Sequence, residues 1–219
     1  MTYQITMRGS DGIVIASDRR EFLFPKSSEE GEGSVANIVT KIFLDSSGRY
    51  AWAFAGSKPS LLAASYMERE FENGVPDAEV ERTLRNCGDR GWAAGASGPG
   101  ESTVVLADGK TKTIMRALLA HQSTMVSIIT DGRCFTGQNY STASFFPLRF
   151  YSPEMSVVQL AKLAAYAIVM AGEMDAVLIG GLDIAMYRDS VGRFEFVDSG
   201  NYVNQVMELD CTIRNVFAD

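Results

Sequence analysis

The sequence has little of what common catalytic and metal-binding sites are built from. His121 is its only histidine. A triad with His121 as base would need an activated serine or cysteine that no signature marks, and one histidine cannot anchor a His-rich metal site. Cys87, Cys134 and Cys211 are odd in number, widely spaced and free of any CxxC pattern. Neither a disulfide framework nor a zinc site is expected, no metal or other cofactor is assigned, and the three read as buried or half-buried thiols. Basic residues are outnumbered, 20 Lys and Arg against 27 Asp and Glu, for a net charge of −7. That balance works against a nucleic-acid partner, whose phosphates must be neutralised by Lys and Arg. No apolar run reaches the roughly 20 residues needed to span a bilayer. The most apolar stretch, 157–172, carries Gln159 and Lys162 and reads as a buried helix, so no membrane association is expected. No charged segment followed by an apolar one opens the chain, which makes a cytoplasmic protein the expectation. The Gly-rich stretch GDRGWAAGASGPG at 88–100 lacks the GK[ST] ending of a phosphate loop and reads as a plain flexible loop.

What remains is an ordinary globular composition, 46% hydrophobic and 21% charged, without an internal repeat or a linker of flexible composition. One domain over 1–219 is expected. Tyr3, Ile5 and Met7 alternate with Gln4, Thr6 and Arg8, the period of a strand, and GIVIAS at 12–17 is a second strand. A three-residue loop would set Thr2 opposite Asp18, Ile5 opposite Ile15 and Met7 opposite Ile13. A two-residue Asp11-Gly12 turn would set Thr2 opposite Glu21, and the first register is preferred because it pairs apolar with apolar. Residues 21–40 read as a loop. A hairpin follows, with strands at 41–44 and 50–55 about a DSSG turn and ending at Gly56. Ser57 and Pro59 suit the start of a helix that stops at Gly74, and a shorter helix runs from Asp77 to about Asn86. Strands are expected near 102–107, 112–118, 124–130 and 133–136, then the long helix capped by Ser156, then strands at 183–188 and 193–197. The order implies an α+β layered fold with antiparallel sheets and helices outside.

Thr2 is the residue with chemical potential. Once Met1 is lost, a terminal threonine carries both a nucleophile and a base: its hydroxyl attacks and its own α-amine, with a reference pKa near 8, accepts the proton. A nearby ammonium held by a carboxylate would stabilise the deprotonated hydroxyl and lower the amine pKa. Lys41 and Asp18 fit those parts.

The residues resemble the proteasome β subunits and their bacterial relatives, the N-terminal-nucleophile hydrolases. The likeness rests on Thr2 before a strand, on Gly12-IVIA-Ser17-Asp18-Arg19-Arg20, on Lys41 opening a hairpin, and on the closing Ala55-Gly56 step. It is closest over residues 2–57 and looser over the later helix and DAVLIGGLDIAMY. With only Met1 to lose, the chain is similar to the simpler bacterial forms, HslV, Anbu and the betaproteobacterial proteasome homologue. The resemblance implies a four-layer αββα sandwich. It also implies a threonine endopeptidase that cuts unfolded polypeptide or peptides inside a homo-oligomeric double ring of twelve or fourteen subunits, with an ATP-dependent unfoldase as a candidate partner. It makes Thr2 the nucleophile, Asp18 and Lys41 the charge pair that tunes it, the Gly56 N–H the oxyanion donor and Arg20 a supporting residue. Asp175 stands for the family's auxiliary aspartate, with Glu173 as an alternative. Here the family's auxiliary segments read TGQNYS, with Gln138 in the place of a serine and Ser141 as a substitute, and DAVLIGG, with Ile179 before Gly180 and Asp175 one residue too far away.

Substrate is expected to lie extended beside the strand ending at Gly56 and near residues 21–24, adding a strand through backbone hydrogen bonds, with Phe22, Phe54 and Lys58 lining the side-chain pocket. Glu29, Glu30 and Glu32 would favour basic substrates. Two other readings compete. The departures at the auxiliary positions suit a non-catalytic ring subunit, and the same nucleophile would serve an amidase acting on a small molecule.

Overall fold

The computed structural model describes residues 2–22, 36–95, 102–120, 123–137, 140–175 and 179–216. Its described residues form twelve strands and five α-helices. Strands β1 (Gln4–Arg8), β2 (Gly12–Asp18), β3 (Arg20–Phe22), β4 (Ala36–Ile38), β5 (Ile42–Leu44) and β6 (Tyr50–Ala55) precede helices α1 (Lys58–Glu72) and α2 (Val80–Gly95). Strands β7 (Ser102–Asp108), β8 (Thr113–Leu119), β9 (Met125–Ile129) and β10 (Arg133–Thr136) follow. Helices α3 (Tyr140–Phe150) and α4 (Val157–Met174), strands β11 (Leu182–Arg188) and β12 (Arg193–Phe196), and helix α5 (Ser199–Val216) complete the chain.

Ten of the strands make two antiparallel five-stranded sheets, in the orders β10-β1-β2-β11-β12 and β5-β6-β7-β8-β9, and β3 pairs with β4 in a separate ribbon. Alternation along each strand divides the apolar residues among three cores. Tyr3, Ile5, Met7, Val14, Ala16, Leu182, Ile184 and Met186 pack with α4 and Val206 of α5. Tyr50, Trp52, Phe54, Val104 and Leu106 pack with α1 and α2. Ile13, Ile15, Ile42, Ala51, Ala53, Val105, Ala107 and Ala185, drawn from both sheets, form the third.

This arrangement explains why the expected hairpin register fails. Ile5 pairs with Ala16, Met7 with Val14 and Arg8 with Ile13, and the Gly9 N–H donates to Gly12 O across a tight Ser10-Asp11 turn. The observed pairing lies one residue from the preferred register and two from the alternative. All seven residues of β2 are buried. With apolar surface required on both faces, matching apolar to apolar does not discriminate between registers. The consequence is that Tyr3, rather than Thr2, lies across from Asp18. The Tyr3 N–H donates to Asp18 Oδ1 at 2.7 Å and the Asp18 N–H returns to Tyr3 O at 3.1 Å.

Other departures have local causes. Helix α2 continues to Gly95 instead of ending near Asn86, because Gly88, Gly91 and Gly95 are contact points. A Cβ on Gly91 would meet Pro59 O at 2.6 Å and Ala63 N at 2.7 Å, and one on Gly88 would meet Thr124 Oγ1. These glycines let α2 approach α1 and β9 closely; residues 96–100 of the expected loop lie outside the described residues. Helices α3 and α5 have no counterpart in the expected order. Pro147 stands inside α3, and both helices mix apolar and polar residues around their circumference. Residues 21–22 and 36–38, read as loop, form the ribbon together with Arg20. Helix α4 begins as expected: Ser156 Oγ accepts from the Gln159 N–H while Gln159 Oε1 accepts from the Ser156 N–H, a reciprocal cap. It is long and apolar enough to cross a membrane by length and composition, and ten of its residues are buried against sheet and helices. Cys87 and Cys134 are buried, but Cys211, expected to be at least half-buried, is exposed on α5. His121 lies outside the described residues.

Candidate active site

Three chain segments meet where β1 begins, β2 ends and β5 begins, and they bring Thr2, Asp18 and Lys41 together. The Lys41 ammonium donates to Thr2 Oγ1 at 3.1 Å, to both Asp18 carboxylate oxygens at 3.1 Å and to Arg20 O at 2.5 Å. Side chains of Lys41 and Asp18 are each 3% exposed, whereas Thr2 is half-buried. The ammonium has three protons for a threonine oxygen, a carboxylate and a carbonyl, so its position is determined from three sides. Burial pushes the Asp18 carboxyl up from 3.8, and the Lys41 charge together with the Tyr3 and Arg20 N–H groups draws it back. Arg20 contributes main chain to this cluster, since its N–H donates to Asp18 Oδ2 at 3.1 Å.

The backbone around Thr2 is equally constrained. Gly137 follows β10 with φ +116°, and a Cβ there would fall 1.8 Å from Thr2 O. Only glycine permits this approach, and the Thr136-Gly137 step was the available signal in the sequence. Behind the ribbon, the Arg19 N–H donates to Ile179 O and Gly181 O at 3.2 and 3.1 Å, and Gly180 and Gly181 both have positive φ. Asp183 belongs to this neighbourhood as well and was missed in the sequence. Its carboxylate pairs with Arg19 Nε at 3.1 Å. Burial raises it, while Arg19, a Thr40 hydrogen bond and the Lys41 charge lower it.

Gly56 stands at the end of β6 with φ +106°. Phe54 donates its N–H to Lys41 O at 3.4 Å across the hairpin, so Gly56 lies two residues beyond Lys41's partner, at the same end of the second sheet. Asp175 caps the C-terminus of α4. Its carboxylate accepts from the Tyr3 hydroxyl at 2.5 Å and from Thr142 Oγ1 at 3.3 Å. Tyr3 thus touches both acidic residues, Asp18 through its amide and Asp175 through its phenol. Ser141 is exposed in the first turn of α3 and Glu173 is exposed near the end of α4; Gln138 lies outside the described residues.

The residues named for a substrate pocket are dispersed. Phe54 is 8% exposed and packs against Phe43 in the core with α1 and α2. Period-two alternation on β6 turns it to the same face as Trp52, which makes it a core residue. Lys58 is exposed at the first position of α1. Phe22 pairs with Ala36 in the ribbon, and its side chain lies outside the described residues, as do Glu29, Glu30 and Glu32. Among the described residues no group of His, Cys, Asp and Glu side chains could hold a metal ion.

No family model and no curated protein matches the sequence. Solved structures do match the fold. Anbu from Hyphomicrobium sp. strain MC1 superposes with a TM-score of 0.68 at 12% identity, over 99% of this chain and 97% of its own. Anbu from Yersinia bercovieri, described as an ancestral beta-subunit, gives 0.68 at 13% identity over the same shares. Over nearly its whole length, then, the chain has the fold of the Anbu proteins, bacterial proteasome-like subunits.

Proposed function

We propose that the chain is a threonine peptidase of the proteasome-like class, with Thr2 as its N-terminal nucleophile after loss of Met1. One observation carries the reading: an ammonium fixed by a buried carboxylate lies 3.1 Å from the hydroxyl oxygen of the second residue. In the reaction Thr2 Oγ attacks the scissile carbonyl and its proton passes to the Thr2 α-amine. Lys41 offsets the negative charge that develops on Oγ, and Asp18 holds Lys41 there. The Gly56 N–H donates to the oxyanion. The protonated amine then gives its proton to the leaving amine as the C–N bond breaks. In the second half the same amine takes a proton from a water that attacks the ester carbonyl, the acyl–Oγ bond breaks, and the proton returns to Thr2 Oγ as the acid leaves. Asp175, tethered by Tyr3 and Thr142, serves as the auxiliary carboxylate.

The three cores support a four-layer αββα arrangement, with the two sheets face to face and the helices outside. Exposed apolar residues on the helices support self-association, which we read as stacked rings of twelve or fourteen copies. Phe145, Leu148 and Phe150 of α3 are 54%, 57% and 55% exposed, and Met207, Leu209 and Ile213 of α5 are also solvent-facing.

Intact-protein mass spectrometry before and after treatment with a threonine-directed epoxyketone, compared with Thr2→Ala, tests the reading. The expected result is a chain lacking Met1 that gains one inhibitor, with no gain in Thr2→Ala. A retained Met1, or an untouched Thr2, overturns it. Native mass spectrometry of the same sample tests the rings.

A further inference from the structure

A polar pocket of about 100 Å³ opens on the β10 side of Thr2, lined by Thr103, Arg116, Phe135, Thr136, Gly137 and Tyr140. It bridges the two sheets, because Thr103 and Arg116 stand on β7 and β8 and the Phe135–Gly137 stretch ends β10. Gly137 is the residue whose missing Cβ leaves room for the Thr2 carbonyl, so the pocket lies one residue from the nucleophile. Thr103 leads to the other side of the site: its hydroxyl faces Ala55 O at 3.5 Å, next to Gly56. The pocket therefore adjoins both the nucleophile's backbone and the strand end that carries the oxyanion donor.

Its one charged lining residue is Arg116. Arg116 is exposed, and its guanidinium, like those of Arg69 and Arg188, makes no ion pair with a carboxylate among the described residues. A planar fork of donors beside a small polar pocket matches a carboxylate in charge and geometry. We infer that this pocket is a subsite for a substrate carboxylate, with Arg116 as the residue that selects it. The inference rests on the peptidase reading for its place in the reaction. If the acyl part of the substrate runs along the β3 and β6 side of Thr2, the chain beyond the scissile bond emerges on the β10 side. The subsite then holds an acidic side chain or a free C-terminal carboxylate on the leaving fragment.

The experiment uses three peptides of one sequence: one with an internal Glu and an amidated end, one with Gln and an amidated end, and one with Gln and a free carboxylate. Binding to the Thr2→Ala protein is measured by calorimetry, and cleavage by the unaltered protein is measured in parallel. The Glu peptide, the free-acid peptide or both should bind about tenfold more tightly than the neutral one, and which of them does so identifies the source of the carboxylate. In a Thr2→Ala, Arg116→Ala protein the three affinities should become equal, and in Thr2→Ala, Arg116→Glu whichever carboxylate-bearing peptide bound more tightly should bind more weakly than the neutral one. Equal affinities with Arg116 present, or a preference that survives Arg116→Ala, overturn the subsite. If the unaltered protein cleaves none of the peptides, the peptidase reading falls, and the binding series still decides the carboxylate site.

Discussion

Lys41 Nζ lies 3.1 Å from Thr2 Oγ1 and at the same distance from both oxygens of Asp18. Side chains 3% exposed cannot be compensated by water when one partner is lost. Lys41→Met should therefore destabilise the protein by about 3–5 kcal/mol, because it strands a buried carboxylate. Asp18→Asn should cost a comparable amount, because it strands the buried Lys41 ammonium and its amide NH2 faces the Arg20 N–H or the Tyr3 N–H, both donors. The double variant should fall short of the sum of the two by about 1–3 kcal/mol in urea unfolding. Peptide hydrolysis should drop about a hundredfold or more in each single variant, and strict additivity of the stabilities would refute the pairing.

Gly137 makes a different demand on the same residue. A Cβ 1.8 Å from Thr2 O cannot be accommodated without moving the Thr2 backbone. Gly137→Ala should lower hydrolysis about a hundredfold through displacement of the nucleophile, while its circular dichroism stays that of the parent. Gly192→Ala supplies the control, because Gly192 has φ +74° and open space around it. It should cost only about 1–2 kcal/mol of backbone strain and leave hydrolysis unchanged.

The parts of this fold readable from the sequence are those set by local chemistry. The DSSG hairpin with Gly48 at φ +71° and the Ser156 cap depend on residues near one another in the chain, whereas Thr2, Asp18 and Lys41, up to 39 residues apart, were legible only through the resemblance that their spacing carries. What escaped depends on the neighbouring layer. The β1–β2 register could not be inferred because Ile13 and Ile15 serve the core shared by the two sheets while Val14 and Ala16 serve the core against α4. Phe54 looked like a pocket residue for want of any sign that helices would cover its face. Helix α2 was cut short because three glycines were read as flexibility. Their spacing at 88, 91 and 95 follows one helical face, and that was the overlooked signal.

Those glycines yield a prediction of their own. A Cβ at Gly91 would meet backbone atoms of α1, Pro59 O and Ala63 N, closer than 3.0 Å. Helical propensity alone would make Gly91→Ala stabilising by about 1 kcal/mol. Overpacking against backbone should win, so the variant should be destabilised by about 1–3 kcal/mol in thermal or urea unfolding. An increase in stability would show that α1 and α2 do not touch there.

Tyr3 joins the start of β1 to the end of α4 through its hydroxyl on Asp175. Tyr3→Phe keeps the ring, which is 1% exposed with the rest of the side chain, and removes the hydroxyl's bond to the Asp175 carboxylate together with its longer contact to Ala171 O at 3.4 Å. A loss of about 1–3 kcal/mol is expected, as for a hydrogen bond to a charged group. The same substitution made in Asp175→Asn should cost less, and a cycle with no coupling would show that the two groups do not interact.

Burial also sets the behaviour of the thiols. Cys134 is pushed up to about 12 and Cys87 to about 11 from the ordinary 9.0, in both cases chiefly by desolvation. Cys211 is exposed. A maleimide should therefore modify one thiol in the native protein, Cys211, and all three after denaturation. Above pH 9 the unfolded chain releases thiol protons that the folded chain still holds, so ionisation favours the unfolded state. The stability associated with Cys134 is complete below pH 9 and should fall as pH rises toward 12, by at most about 1.4 kcal/mol per pH unit. Measuring urea unfolding between pH 8.5 and 10.5 for the parent and for Cys134→Ala isolates this contribution, because all other titrating groups are common to both. The stability difference between them should shrink as pH rises, and a difference independent of pH would mean that Cys134 ionises as readily in the folded protein as in the unfolded chain.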